Sequence, residues 1–130
     1  MKILAIESSC DESAVAIFDP EIGILESLIH TQIDLHALYG GVVPDLASSE
    51  HLKKLPMLLA QISKSEHFGG ITQVVATSGP GLPNCLAMGV ACAAATAAAL
   101  KVPLYGANHL RGHAGSPFIE VHAADPERFG

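Results

Sequence analysis

Two imidazoles four residues apart, His109 and His113, are the pair in this chain best suited to chemistry. On a helix, side chains at i and i+4 stack on one face, so two such imidazoles can ligate one metal ion. The chain has seven histidines, and HxxxH also describes two surface histidines flanking a helix start. Zinc proteases share the spacing but carry Glu directly after the first His as general base, whereas this chain has Leu110. A protease would therefore lack its base.

Three further clusters can bear chemistry. The turn Glu7-Ser8-Ser9-Cys10-Asp11-Glu12-Ser13 offers hydroxyls and N–H groups to a phosphate and carboxylates to Mg²⁺ or water, or is a plain polar hairpin tip. Ser78-Gly79-Pro80-Gly81-Leu82 links a strand to a helix. It either lets a phosphate approach the helix start or makes a tight turn that needs glycine. It is neither a Walker loop nor a GxGxxG fingerprint. The residues His36, Tyr39, Gly40, Gly41, Asp45 and His51 shape a pocket wall or an ordinary loop.

The elements that must hold these groups follow from pattern. Lys2 to Ile6, Ala14 to Phe18 and Ile24 to Ile33 are apolar runs split by polar turns, which predicts three antiparallel strands. Leu35 to Val43 reads as a loop. Pro44 suits a first helical turn, and Leu46, Leu52, Leu55, Leu58, Leu59 and Ile62 continue a helix to about Glu66. Pro56 predicts a kink or break inside it. Gln73 to Thr77 is a fourth strand, Asn84 to Leu100 an alanine-rich helix, Val102 to Tyr105 a fifth strand, and a last helix starts at Asn108. The order β-β-β-α-β-α-β-α implies an α/β lobe of the ribonuclease-H-like type used in actin-like ATPases: a mixed sheet with an antiparallel start and helices on its faces.

Composition bounds what such a lobe can do. At 130 residues the chain can bury one core. Its seven Lys and Arg are scattered and the net charge is -6, so it lacks the cation patch that grips phosphate backbones. Three cysteines without a CxxC pair argue against a disulfide framework and fit a reducing compartment. The start MKILAIESS does not read as a signal peptide. Cys85 to Leu100 falls short of the ~20 apolar residues of a membrane span and reads as a buried helix. Its small residues, Gly89 and Ala93 among them, either pack on the chain's own sheet or receive a partner protein.

Taken in order, the strings ILAIESSCDESAVAIF, HTQIDLHALYGGVVPDLASSEH, ATSGPGLPNCLAMGV and NHLRGHAGSPF are similar to the tRNA N6-adenosine threonylcarbamoyltransferase family, formerly labelled O-sialoglycoprotein endopeptidase. The resemblance runs to about Phe118. It implies an N-terminal actin-like lobe over residues 1–118, with 119–130 beginning the next segment. The implied reaction moves a threonylcarbamoyl group from an adenylate to N6 of adenosine 37 in tRNA. Iron or zinc would be held by His109, His113 and an aspartate from far downstream. An adenine nucleotide or the threonylcarbamoyl-adenylate would lie between two lobes, with the catalytic carboxylates Asp11 and Glu12 on the turn facing that cleft. The paralogous partner subunit of the family shares the fold and the GPGL turn but not the HxxxH ligands.

The resemblance also implies association with that partner subunit through the helices near Leu52 to Ile62 and Asn84 to Leu100. Contact with tRNA would come only through the complete complex, in the cytoplasm. The family usually has Arg where this chain has Ser49 and Gly where it has Asn84, and the lost guanidinium removes a five-donor fork. Family enzymes are well over twice as long, so the chain by itself is expected to be an inactive lobe. Two alternatives stand beside this reading. One is a non-catalytic assembly module, able to form a homodimer of the lobe. The other is the metalloprotease of the older label.

Overall fold

A computed structural model describes residues 1–9 and 11–108 of the chain. The elements are β1 (Ile3–Glu7), β2 (Glu12–Asp19), β3 (Gly23–Thr31), α1 (Ile33–Ala37), α2 (Pro44–Ile62), β4 (Gln73–Gly79), α3 (Pro83–Leu100) and β5 (Leu104–Asn108). The strands form one mixed sheet in the order β3-β2-β1-β4-β5. β2 runs antiparallel to β1 and β3, while β4 runs parallel to β1 and β5. The expected mixed α/β architecture with an antiparallel start is therefore present.

Alternation along the strands decides which face closes. Leu4 and Ile6 of β1 stand beside Ile17 and Val15 of β2 and beside Val74 and Ala76 of β4. All six are buried on one face, as the period of two requires. α2 and α3 lie side by side over that face. α2 turns inward Ala47, His51, Leu55 and Ile62, and α3 turns inward Cys85, Gly89, Ala93 and Ala97, both at near-helical spacing.

The helix ends have local causes. Pro44 and Pro83 each occupy the first helical turn, where a missing N–H costs nothing. α3 stops at Lys101, whose φ of 57° is left-handed. Lys101 N–H donates to Ala98 O (3.2 Å) and Val102 N–H to Ala97 O (3.0 Å), which is a Schellman closure. Val102 then packs against the core.

Several expectations change. α2 is unbroken through Pro56. Proline removes the donor to the Leu52 carbonyl, but Pro56 and Leu52 both lie on the exposed side, where water can solvate that carbonyl. α2 also ends at Ile62 rather than Glu66, and β3 at Thr31 rather than Ile33. The stretch expected to be loop from Leu35 begins inside the short helix α1. β5 is displaced to Leu104–Asn108, so Asn108 is strand; the helix expected after it lies outside the described residues.

The expectation that the alanine-rich helix is buried holds for one stripe only. α3 is long and apolar enough to cross a membrane by length and composition, with 22% of it buried. Gly89 and Ala93 face the sheet, so they are not a partner surface. The outer side carries Ala87, Val90, Ala91, Ala94, Ala95 and Ala98, all exposed. Cys92 sits half-buried between the two sides, and burial pushes its thiol pKa up.

Candidate functional site at the carboxyl edge of the sheet

The strand directions gather the chemistry at one edge. The carboxyl ends of β1, β3, β4 and β5 and the start of β2 all meet there. The pairs Glu7↔Ala14, Glu12↔Thr31 and Gly79↔Asn108 mark its width. β1 is antiparallel to β2 and parallel to β4, and open α/β sheets commonly bind ligands outside the carboxyl ends of their strands.

At the centre, the end of β1 is held by close packing and short polar contacts. Glu7 Oε1 accepts from Ser9 N–H (2.6 Å) and Oε2 from the Thr77 hydroxyl (2.5 Å), tying β1 to β4. Ser8 follows Leu4 and Ile6 on the helix face, and its buried hydroxyl donates to Cys85 O (2.7 Å). A Cβ at Gly89 would stand 2.1 Å from Ser8 Oγ, so only glycine lets α3 descend this far.

The Gly-Pro-Gly turn is bound in the same way. The peptide between Gly79 and Pro80 is cis. Leu82 N–H donates to Ser9 O (2.8 Å), and a Cβ at Gly81 would meet that oxygen at 2.6 Å. The Leu82 N–H is thus spent inside the protein. Of the two roles open to this turn, close backbone packing is the one these contacts support.

Asp11 is half-buried in the turn before β2, and its carbonyl accepts from Gln32 N–H (2.8 Å). With His36, Ala37, Gly40, Gly41 and Val42 it lines an open cavity of about 430 Å³. Glu12 is exposed on the first residue of β2 and is not among the residues lining that cavity. The two carboxylates expected to act together therefore sit differently. His109 and His113 lie outside the described residues, as do Cys10 and Arg111. The chain reaches His109 from Asn108, which ends β5 opposite Gly79 at this same edge. Among the described residues there is no group of three or more His, Cys, Asp or Glu that could hold a metal ion.

The histidines of the supposed plain loop prove to be buried and bonded. His51 on α2 lies 2.6 Å from the Ser13 hydroxyl through Nδ1, and both are fully buried. His36 is 2% exposed and lies between Gln32 and Val43. Ser13, Gln32, Glu7 and Thr77 are structural partners beyond those the sequence pattern predicts. Period-two alternation would have found Ser13, which precedes Val15 and Ile17 on the inward face. No sequence signal marks Gln32. Of the two family departures, Ser49 is exposed on α2 and Asn84 is exposed in the first turn of α3, so neither leaves a gap in the core.

A five-stranded mixed sheet with its helices packed on it defines an α/β lobe. The fold is similar to YeaZ from Pseudomonas aeruginosa, with a TM-score of 0.63 at 16% identity over 92% of this chain and 48% of that one. It is also similar to Thermus thermophilus RuvC solved with a Holliday junction substrate, with a TM-score of 0.50 at 9% identity over 85% of this chain and 66% of that one. At such identities the likeness concerns fold alone.

Sequence goes further. The family described as TsaD, tRNA N6-adenosine threonylcarbamoyltransferase, matches residues 23–129. Proteins of that name from Aromatoleum aromaticum and Methylobacillus flagellatus are 46% and 44% identical, each over 99% of this chain. The chain belongs to the tRNA N6-adenosine threonylcarbamoyltransferase family. It spans 37% and 38% of the length of those two relatives.

Proposed function

We propose that this chain is the N-terminal, actin-like lobe of an enzyme that transfers a threonylcarbamoyl group from threonylcarbamoyl-adenylate to N6 of adenosine 37 in tRNA. The observation that carries the reading is the 46% identity to a threonylcarbamoyltransferase across 99% of the chain. In the reaction the adenosine amine attacks the carbamoyl carbonyl carbon, the bond from that carbon to the adenylate oxygen breaks, AMP leaves, and N6 gives up a proton. The polar edge supplies the wall of a nucleotide cleft. Asp11, which lines the open cavity, is the carboxylate offered to that cleft. Glu12, exposed beside it, is assigned an outer role in orienting water.

His109 and His113 are proposed as two ligands of an iron or zinc ion whose third ligand is an aspartate outside this chain. Such an ion, when bound, polarises the carbonyl under attack. With the third ligand elsewhere, the 130 residues alone are proposed to be inactive.

The apolar outer side of α3, where Val90 is 37% exposed among alanines, favours a second role. It is proposed to meet a paralogous partner subunit, or a second copy of the lobe when the partner is absent. Contact with tRNA is left to the complete cytoplasmic complex. Double substitution of Val90 and Ala94 by Glu is expected to abolish any such association in sedimentation; an unchanged mass distribution would remove the surface from the account.

The function is tested by incubating tRNA, labelled threonylcarbamoyl-adenylate and either this chain or the protein expressed from its complete reading frame. Label is expected in tRNA only with the latter, supplied with its partner. Transfer by the 130 residues alone would overturn the division of the site.

A further inference from the structure

We infer that His36, braced by Gln32, is a positioning residue that locks together the Leu38–Val42 loop and the Asp11 turn, both of which line the cavity at the carboxyl edge. The loop is folded onto this one residue. Its carbonyl accepts from Tyr39 N–H (2.9 Å) and Gly41 N–H (3.3 Å). Its Nδ1 accepts from Val43 N–H (3.0 Å), the last bond before α2 begins. Gly40, at φ 78°, allows the reversal that brings the chain back.

The imidazole bonds fix its protonation pattern. A backbone N–H can only donate, so Nδ1 must be bare. Nε2 then carries the proton and donates to Gln32 Oε1 at 2.6 Å. Gln32, 1% exposed, has its amide group 3.4 Å from Ala47 O on α2, and its backbone N–H donates to Asp11 O. One neutral, oriented imidazole thus joins the Asp11 turn, α1, the loop and the first turn of α2. Leu38 and Tyr39, at 80% and 68% exposed, give the loop almost no packing of its own. Its position therefore depends on these bonds rather than on burial.

Two near-isosteric variants separate the halves of the lock. His36→Asn keeps an oxygen where Nδ1 stood, so it can still receive Val43 N–H, but it loses the bond to Gln32. His36→Gln reaches Gln32 but offers nothing to Val43. Amide hydrogen exchange is expected to be at least ~10-fold faster at Val43 in His36→Gln than in His36→Asn, as for one lost native hydrogen bond. Equal exchange in the two variants would overturn the inference.

Nitrogen NMR of the unaltered protein gives a second check that needs no variant. The proton is expected on Nε2 of His36, and a proton on Nδ1 would contradict the lock. The link to catalysis rests on the proposed reaction. In the protein from the complete reading frame, His36→Gln is expected to raise KM for threonylcarbamoyl-adenylate at least ~10-fold, and His36→Asn to restore most of it. A KM unchanged in His36→Gln would overturn the positioning role. Absence of transfer by every form would instead remove the proposed function, leaving the exchange and NMR results to decide the lock.

Discussion

The two faces of the sheet share five strands but are built to different standards. Under α2 and α3, Leu4, Ile6, Val15, Ile17 and Val74 are at most 2% exposed. On the opposite face, Ala5, Ala16 and Val75 remain half-buried, while Ile24 and Ile29 of β3 are 56% and 62% exposed. Even the polar groups differ. The helix side encloses Ser8, Ser13 and His51 and satisfies them, and no buried side-chain polar atom among the described residues lacks a partner. A buried hydroxyl is tolerated only when bonded. The first face therefore specifies the lobe, whereas the second is apolar surface that the described residues leave uncovered.

The contrast can be broken most sharply at its centre. Leu55→Ala is expected to cost about 2–5 kcal/mol in denaturant unfolding, because it opens a cavity under α2. A loss near zero would mean that the covered face does not carry the stability. Gly89→Ala comes next, at about 1–3 kcal/mol, since its methyl would collide with Ser8 Oγ. Ser8→Ala in the same chain should recover part of that loss, and a double-mutant cycle showing no coupling would contradict the close approach.

Ser13→Ala is expected to cost about 1–3 kcal/mol by taking the hydroxyl from His51 Nδ1. Full stability there would mean that the polar bolt does not hold α2 to the sheet. Smallest is Ile29→Thr on the open face, within about 0.5 kcal/mol. A loss as large as that of Leu55→Ala would show that this face is covered after all.

Much of this arrangement is legible in the sequence, for physical reasons that differ by element. The strands and α3 were visible because burial on one side imposes a period on the sequence. Pro56 misled because proline's cost depends on whether the orphaned carbonyl faces water, and a sequence does not state which side of a helix is wet. The alanine run misled in a related way: small apolar residues read as buried, yet only every fourth one reaches the sheet. The polar edge was legible in part. The turn and the family motif name Asp11 and Glu12, of which Asp11 lines the cavity, but the places of His36 and Gln32 depend on a fold-back at Gly40 that no periodicity encodes. Spacing and family order name His109 and His113, which lie outside the described residues; β5 ends one residue before His109, at Asn108 opposite Gly79.

Threonylcarbamoyl transfer is proposed to depend on the pair at His109 and His113. The direct measurement is transfer of labelled threonylcarbamoyl to tRNA by the protein from the complete reading frame, with its partner, before and after His109→Ala. Transfer is expected from the unaltered protein, with at least a ~100-fold fall in the variant together with loss of its bound metal. Undiminished transfer by His109→Ala would contradict it.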